Sequence, residues 1–382
     1  LTDDMRAELR ELFEALHRHP ELGFEEHVTT ALLRDALARH GVTILDSELT
    51  TGLIAQVEGG LPGPMIGLRA DIDGLPVQEA SGLPYASCHE GRMHACGHDF
   101  HAACMAGAAM LLKARERELP GTVRIIFQPA EEIDAGARRV LATGLTADCR
   151  CFLAGHSYPG FPAGTVGIKE GPVMAAVDRF RVLLRGKGCH AAHPHKGVDP
   201  VVAMAALVQS LQTIVSRTLN PFSTSLCSIT HAEAGNTWNV IPETAVVEGT
   251  IRTLDKDDRA RAEERFRQIV AGIAAAYGVE AETDWRHGSP ALHNDSRLCA
   301  LARRVAQDRG LTAERQEDTL GGEDFSCYLE NGTPGLFVRI GTGGTYPSHH
   351  PKFTVNPDAL ASAADFFAAL AQACLEAEGE AR

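Results

Sequence analysis

The sequence lacks an excess of positive charge. Its 382 residues include 36 lysines and arginines against 50 aspartates and glutamates, which gives a formal net charge of −14 at pH 7. Proteins that bind nucleic acids or anionic membrane surfaces carry basic patches, because both partners are negatively charged. We therefore expect this chain to bind neither a nucleic acid nor a membrane.

Long hydrophobic runs are also missing. A helix needs roughly 18 apolar residues to cross a bilayer, and we find no apolar run of that length. The first residues, LTDDMRAELRELFEALHRHPE, have the pattern of a charged amphipathic helix rather than that of a signal sequence. These features predict a cytoplasmic protein.

The ten cysteines form no regular framework of the kind found in disulfide-rich domains. Cys149 and Cys151 make a C-x-C pair without the second pair that a structural zinc site needs, so we interpret them as structural. Cysteines scattered through apolar segments of a long chain indicate reduced, mostly buried thiols. The sequence also lacks the P-C-x-x-C motif of zinc deaminases, internal repeats and low-complexity tracts.

The order of apolar segments predicts an α/β fold. A chain of 382 residues exceeds what one hydrophobic core usually holds, so two domains are expected. Outside residues 177–288, strand patterns alternate with helix patterns, which predicts a mixed, mostly parallel sheet covered by helices. Within that range, the order β-α-β-β-α-β is typical of a ferredoxin-like α+β domain. We therefore predict a catalytic domain over 1–176 and 289–382, with an inserted domain over 177–288.

Polar side chains follow three of the apolar segments directly. Asp71 and Asp73 follow MIGLRA, Glu131 and Glu132 follow VRIIFQPA, and His156 follows CFLAG. The carboxyl ends of parallel strands converge on one crevice, which is where such folds bind ligands. We expect these side chains to lie close together there.

Further metal-binding residue types are expected at the same edge of the sheet. Cys96 and His98 open a predicted helix, and His349 lies in a Pro-flanked loop. A thiolate, a carboxylate and three imidazoles are the ligand types of a divalent transition-metal site. One tetrahedral ion cannot use all of them and keep an open position, so two bridged ions fit the count better. One of the adjacent glutamates would then bind metal while its neighbour handles protons.

Each of these residues has an ordinary structural explanation when it is taken alone. An Asp pair after a strand is more often part of a turn or a helix cap. Adjacent glutamates usually lie on a solvated face, and a single buried histidine is usually hydrogen-bonded within a core. Only the joint placement of these residues at predicted strand ends favours a metal site.

Motifs along nearly the whole chain resemble those of the M20 metallopeptidases. Within that family they are most similar to the amidohydrolase branch, which includes N-acyl-amino-acid amidohydrolases, hippurate hydrolases and auxin-conjugate hydrolases. The matching motifs are LHRHPELGFEE (16–26), RADIDGLPVQE (69–79), MHACGHDFHAA (93–103), FQPAEE (127–132), GHSYPG (155–160), GKGCHAAHPHKGVDP (186–200), NVIPETAVVEGTIRT (239–253), GGEDF (321–325) and HHPKF (349–353). So many motifs in the same order identify the chain as a member of this family.

The resemblance implies a set of metal ligands and a general base. The residues that match the ligands are Cys96, as a bridging thiolate, His98, Glu132, His156 and His349. His350 makes the last assignment ambiguous, and we favour His349 by its distance from the following proline. Glu131 matches the base that moves a proton from water to the leaving amine. Asp71 matches a catalytic aspartate beside the ligands, with Arg69 where other branches have a histidine ligand.

The inserted domain resembles the lid and dimerisation domain of the family, which implies a homodimer. His190 matches a histidine that hydrogen-bonds the oxyanion, in many members from the partner subunit. Asn239 and Arg252 match positions that hold the oxyanion and the substrate carboxylate. The planar guanidinium of arginine suits the last task, because it pairs with a carboxylate through two hydrogen bonds.

The activity implied is cleavage of the amide bond of N-acyl-L-amino acids, which are small molecules, with two divalent metal ions as cofactors. Zinc, manganese, cobalt and nickel all accept this mixture of ligands. The alternative is a dipeptidase or carboxypeptidase acting on small peptides, which present the same groups. The family commonly has other residues at Cys189, His193 and Trp238, so the substrate preference stays open.

Two hypotheses come from other functional classes. One is a cysteine hydrolase with Cys96 as nucleophile and His98 as base, which requires a thiolate that is not held by metal. The other is a non-catalytic protein that binds a metal or a ligand. Glu131 beside a complete ligand set favours the metallohydrolase.

Overall fold

The structure is a computed structural model that describes residues 2–380. The α-helices of this range are α1 (Asp3–Arg18), α2 (His27–Arg39), α3 (His98–Ala114), α4 (Gly136–Ala142), α5 (Pro200–Leu211), α6 (Lys256–Tyr277), α7 (Ser296–Asp308) and α8 (Ala359–Glu380). Its strands are β1 (Thr43–Ile44), β2 (Leu53–Glu58), β3 (Leu61–Asp71), β4 (Pro120–Gln128), β5 (Cys149–Tyr158), β6 (Thr165–Gly167), β7 (Gly171–Met174), β8 (Ala176–Arg185), β9 (Cys189–His190), β10 (Ser225–Ala234), β11 (Val240–Ile241), β12 (Thr244–Thr253), β13 (Glu280–His287), β14 (Leu292–Asn294), β15 (Thr312–Glu314) and β16 (Gly335–Gly341).

The chain divides into two compact units. The first comprises the described chain up to Gly171, His293–Glu317 and the described chain from Asp324 onward. The second comprises Pro172–Leu292 and the short segment Asp318–Glu323. The borders predicted from sequence, at 176/177 and 288/289, differ from these by a few residues. The catalytic and lid roles assigned to the two parts stay predictions.

The first unit is built on an eight-stranded sheet with the order β1-β2-β4-β3-β5-β16-β6-β15. The four central strands, β4, β3, β5 and β16, run parallel to one another. On either side of this block, β2 and β6 pair with it in antiparallel fashion. The predicted mixed, mostly parallel sheet is therefore confirmed, and the carboxyl ends of the four central strands lie at one edge.

Helix α3 is buried along most of its length, because small side chains let neighbouring helices approach it closely. A Cβ atom added at Gly107 would lie 2.7 Å from Leu9 Cδ1 and 2.9 Å from Ala364 Cβ. Gly107 is thus the point where α1 and α8 pack against α3. This packing holds the amino terminus of α3, which begins at His98, in a fixed position at the sheet edge.

One helix of the described range, Ala359–Gly379, is long and apolar enough to cross a membrane by length and composition. The expectation that no segment meets this criterion was wrong. However, 67% of the most apolar stretch of this helix is buried inside the protein, as is usual for a core helix. Length and composition by themselves are therefore weak support for a membrane span.

The second unit contains a four-stranded antiparallel sheet with the order β10-β12-β8-β13, together with α5 and α6. In sequence the elements run β8-α5-β10-β12-α6-β13, which confirms the ferredoxin-like arrangement. Side chains alternate along β8, so that Phe180, Val182 and Leu184 are buried while Arg179 and Arg181 are exposed. A separate ladder pairs β9 with β11.

Candidate metal centre and active site

The start of α3 has a backbone shape that only glycine accommodates. Gly97, the N-cap of α3, has a φ of 88°, and an added Cβ would lie 2.3 Å from Ser157 Oγ. The Ser157 hydroxyl in turn donates a hydrogen bond to the Cys96 carbonyl oxygen, over 3.1 Å. This close approach brings Cys96 and His98 against the carboxyl end of β5.

The structure brings the five predicted ligands together. Cys96 Sγ lies 3.3 Å from His156 Nε2. Glu132 Oε1 lies 3.8 Å from His98 Nε2 and 3.4 Å from His349 Nε2. The ligand atoms of Cys96, His98 and His156 all lie within 4.8 Å of one another, and so do those of Cys96, Glu132 and His349. Two overlapping groups that share Cys96 are the arrangement expected for two ions with a common thiolate.

Two buried atoms of this cluster lack a hydrogen-bond partner among the described residues. They are His98 Nε2 and Glu132 Oε1. A buried polar atom without a partner costs about 1–3 kcal/mol, so such atoms call for an explanation. A lone pair on an imidazole and one on a carboxylate, both aimed into a cluster with a thiol, fit a bound divalent ion.

Asp73 orients two of the predicted ligands at once. Its Oδ1 lies 3.0 Å from His98 Nδ1, and its Oδ2 accepts a hydrogen bond from the Glu132 backbone N–H over 3.0 Å. A His98 proton on Nδ1 leaves the Nε2 lone pair directed into the cluster. Sequence reasoning identified Asp73 only as a carboxylate after a strand, and the structure shows which groups it contacts.

Asp71 lies beside the cluster but is engaged by other groups. Its Oδ1 lies 2.5 Å from His101 Nδ1, and its Oδ2 accepts from Arg69 Nη1 over 2.8 Å. His101 Nε2 accepts a hydrogen bond from the Ser157 backbone N–H, which assigns the His101 proton to Nδ1. Burial tends to raise the pKa of Asp71, but His98, His101 and Arg69 outweigh it and hold that pKa well below the usual range. Asp71 is therefore a buried anion that faces the cluster.

Beneath the cluster, a buried network continues from Arg69. Arg69 Nη2 donates to Asp324 Oδ1 over 2.8 Å, and Arg69 Nε donates to Gln128 Oε1 over 3.0 Å. The Gln128 amide also donates to Asp324. Asp324 belongs to the GGEDF motif, which was recognised in the sequence without a role for its residues. Its position shows that it anchors the arginine that binds Asp71.

Burial keeps the sulfur and one imidazole of the cluster neutral. It raises the pKa of the Cys96 thiol to about 12 and lowers the pKa of His156 to about 3. His156 Nδ1 donates to the Ser157 carbonyl oxygen over 2.8 Å, which leaves Nε2 free to act as a ligand. Neutral imidazole is the form of histidine that binds metals.

Adjacent Glu131 and Glu132 occupy different positions. The Glu132 carboxylate contacts both His98 and His349, whereas Glu131 Oε2 lies at 4.0 Å from His98 Nε2. The turn before them depends on Ala130, which has a φ of 53° and donates its N–H to the buried Glu26 carboxylate over 2.8 Å. This arrangement agrees with one carboxylate binding metal and the other handling protons.

His349 and His350 point to different surroundings. His349 has a φ of 68°, its N–H donates to the Ala95 carbonyl oxygen, and its ring lies beside Glu132. The His350 ring instead stacks on Tyr346, with ring centroids 4.4 Å apart. The geometry therefore favours His349 as the candidate ligand. An unusual backbone conformation in a non-glycine residue is common at functional sites.

The remaining predicted residues belong to the second unit. His190 lies in β9 and pairs with Val240 of β11, while the carbonyl oxygen of Asn239 accepts a hydrogen bond from the Ala191 N–H. The Arg252 side chain donates from Nε to Thr250 Oγ1 over 3.0 Å. None of these residues is part of the two ligand groups described above. Their roles in substrate binding stay predictions.

Known proteins of similar sequence match nearly the whole chain. The family model described as peptidase family M20/M25/M40 matches residues 67–373. N-acetylcysteine deacetylase of Bacillus subtilis (strain 168) is 47% identical over 362 residues, which cover 94% of this chain and 95% of that protein. Thermostable carboxypeptidase 2 of Saccharolobus solfataricus is 33% identical over 354 residues, covering 90% of each.

A solved structure extends the likeness to three dimensions. It is a Bacillus subtilis protein described as a dinuclear metal-binding peptidase of the M20 family. It is 44% identical to this chain, with a TM-score of 0.89, and the match covers 98% of this chain and 99% of that one. The fold therefore occurs in a protein of related sequence that is described as binding two metal ions.

Proposed function

This chain is a C–N bond hydrolase of peptidase family M20/M25/M40, and we propose that it cleaves the amide bond of N-acyl-L-amino acids. The observation that carries the proposal is the ligand cluster at the carboxyl edge of the sheet. In it, His98 Nε2 and Glu132 Oε1 are buried and make no hydrogen bond within the described residues, and Glu131 Oε2 lies 4.0 Å from His98 Nε2. A cluster of metal ligands beside a further carboxylate that can handle protons is what hydrolysis of an amide requires.

Two divalent ions would be held by Cys96, His98, Glu132, His156 and His349. When bound, such ions polarise the acyl carbonyl and lower the pKa of a bound water towards neutral pH. The solved relative described as a dinuclear metal-binding peptidase supports this count of two. Zinc, manganese, cobalt and nickel all suit the ligand set, because it mixes sulfur, nitrogen and oxygen.

The protein groups have distinct tasks in the proposed reaction. Glu131 accepts a proton from the attacking water and delivers it to the nitrogen of the leaving amine. Asp73 keeps His98 and Glu132 in place, and Asp71 holds negative charge beside them. His190 and Asn239 stabilise the oxyanion that forms on the acyl oxygen. Arg252 pairs with the carboxylate of the substrate.

The relatives support an acetyl group as the first acyl group to test. The relative at 47% identity is an N-acetylcysteine deacetylase, and its sequence aligns over nearly the whole of both chains. The carboxypeptidase relative at 33% identity keeps a second candidate open, in which small peptides are cleaved. In both cases a free carboxylate follows the scissile amide, so the same arginine would bind it.

We also propose a homodimer formed through the second unit. Large apolar side chains are exposed there, among them Phe222 at 95% and Trp238 at 92%. Exposed aromatic side chains are typical of protein interfaces. Light scattering after size-exclusion chromatography tests the proposal, and a monomer at working concentration would contradict it.

The experiment that tests the activity is a substrate panel. It compares N-acetyl, N-benzoyl and longer N-acyl amino acids with dipeptides, with added manganese or zinc, and measures release of a free amino group. We expect N-acyl amino acids to be cleaved faster than dipeptides, and EDTA to stop the reaction. Activity that survives EDTA would favour the cysteine hydrolase, whereas no activity in metal-loaded protein would favour a binding protein.

A further inference from the structure

A second cluster of metal-binding residue types lies on the surface of the first unit. It consists of His19, just after α1, with Cys88 and His89 in the loop between β3 and α3. The ligand atoms of these three residues lie within 4.8 Å of one another. His19 is half-buried and Cys88 is exposed, in contrast to the buried thiol of Cys96. The cluster shares no residue with the candidate catalytic centre.

The distances in this cluster are close to those in a zinc site. Zinc bonds of about 2.0–2.3 Å in a tetrahedron place ligand atoms about 3.3–3.8 Å apart. Cys88 Sγ lies 3.3 Å from His19 Nδ1, which is already in that range. The rings of His19 and His89 have centroids 5.6 Å apart, and His89 is exposed, so its ring has room to rotate towards the sulfur.

The backbone around the cluster is held in place by contacts other than a metal. Cys88 N–H donates to the Arg18 carbonyl oxygen over 2.9 Å, which ties the loop to the end of α1. One residue earlier, the Ser87 N–H donates to the Glu79 carboxylate, and Glu79 pairs with the buried His17 of α1. The two chain segments that supply the ligands are thus joined before any ion binds, which reduces the entropy lost on binding.

We propose that His19, Cys88 and His89 bind a zinc-class divalent ion, with water completing the coordination. One thiolate and two imidazoles suit such an ion, and the exposed position admits the solvent ligand. The Cys88 thiol donates to the Arg18 carbonyl oxygen over 2.9 Å. Binding replaces that thiol proton with the ion, so the hydrogen bond is given up and one proton is released.

The position of the cluster indicates a structural role. The loop that carries Cys88 begins after Asp73 and ends at Met93, where Met93 pairs with Leu75. It also contacts the loop that carries His349, since the Ala80 N–H donates to the Pro351 carbonyl oxygen over 2.7 Å. An ion that links this loop to α1 would therefore brace the segment between two parts of the candidate catalytic centre.

The test is a count of zinc bound after dialysis, measured by elemental analysis on the full-length protein. We expect three equivalents for the wild type and two for both Cys88→Ser and His89→Ala. The matched control is Cys189→Ser, because Cys189 is half-buried and also has histidines nearby in sequence. The control should keep all three equivalents. Equal counts in the wild type and the Cys88→Ser variant, or a loss caused by Cys189→Ser, would overturn the proposal.

Cobalt provides a second measurement that does not depend on activity. In a Cys96→Ser background, the thiolate-to-cobalt absorption should persist, and it should disappear when Cys88→Ser is added. Absence of that absorption in Cys96→Ser protein that retains its circular dichroism spectrum would also overturn the site. Failure of the proposed catalytic function would leave the difference of one equivalent between the wild type and Cys88→Ser unchanged, since neither measurement involves a substrate.

Discussion

The Asp73 carboxylate connects two candidate ligands, because it contacts His98 Nδ1 at 3.0 Å and also accepts the backbone N–H of Glu132. A ligand that is held in this way keeps its lone pair directed at the ion, so part of the metal affinity resides in a residue that need not touch the metal. Asp73 is thus a positioning residue in the proposed mechanism.

Replacing Asp73 with alanine should weaken metal binding by about 10–100-fold, the usual effect of removing the partner of a ligand histidine. The dissociation constant is measured by competition with a chelator. Activity at saturating metal should recover in part, because the ligands themselves remain. An unchanged dissociation constant would contradict the positioning role.

The substitution Glu131→Gln should reduce kcat by about 10²–10⁴-fold, which is the usual range for general acid–base catalysis. Metal content should stay at the wild-type level, because Glu132 and not Glu131 contacts both His98 and His349. Turnover and elemental analysis on the same preparation check both parts. A metal-loaded Glu131→Gln protein with near wild-type turnover would exclude Glu131 as the base.

The substitution Gly97→Ala should lower the free energy of unfolding of the first unit by more than the strain of a positive φ alone would lower it. An added Cβ would lie 2.3 Å from Ser157 Oγ, in a residue with a φ of 88°. Gly144 offers a matched control, since it has a φ of 72° and nothing within 4 Å of an added Cβ. We expect about 1 kcal/mol for Gly144→Ala and clearly more for Gly97→Ala, measured by urea unfolding. Equal losses of stability in the two variants would show that Ser157 moves away from the added methyl group without an energetic cost.

Stability should fall as the pH rises from about 6.5 to about 9. Burial tends to lower the pKa of His17, but hydrogen bonds with Asp99 and Glu79 outweigh it and raise that pKa to about 9. A raised pKa means that the folded state holds the proton more tightly, so the stabilisation is complete below pH 6.5 and is lost as the pH passes through 9. The difference amounts to about 3 kcal/mol.

Urea unfolding of the metal-free protein at a series of pH values measures this effect. The variant His17→Gln should be less stable than the wild type near pH 6, and the difference should shrink towards pH 9. A wild-type protein whose stability does not decline over this interval would refute the assignment of charge to His17.

Parts of the fold and of the candidate centre could be predicted from the chain alone, because they depend on local pattern and on a general rule of sheet geometry. Alternating apolar segments predicted the parallel block, and residues that end parallel strands necessarily meet at one edge. For that reason Glu132 and His156 were expected near each other although they are far apart in sequence. The order of elements in the second unit was likewise readable from hydrophobic periodicity.

The detailed contacts could not be predicted in this way, because they depend on distances that no local pattern encodes. Arg69, for example, links Asp71 to Asp324, which lies 255 positions after Arg69 in the sequence. This contact follows from how the sheet packs against the segment that carries Asp324. Helix α8 was not expected to be apolar enough to span a membrane, because Ser362, Asp365 and Gln372 interrupt its apolar residues.

By itself, the sequence determined which residue types were available for chemistry and at which strand ends they stand, since these follow from order along the chain. Only the tertiary structure decided which atoms face one another. It set Asp73 against His98, turned His349 rather than His350 towards Glu132, and brought His19 to the thiol of Cys88. The physical reason is that packing fixes the positions of side-chain atoms to within about an ångström, whereas the hydrophobic pattern specifies only the face of the element on which a residue lies.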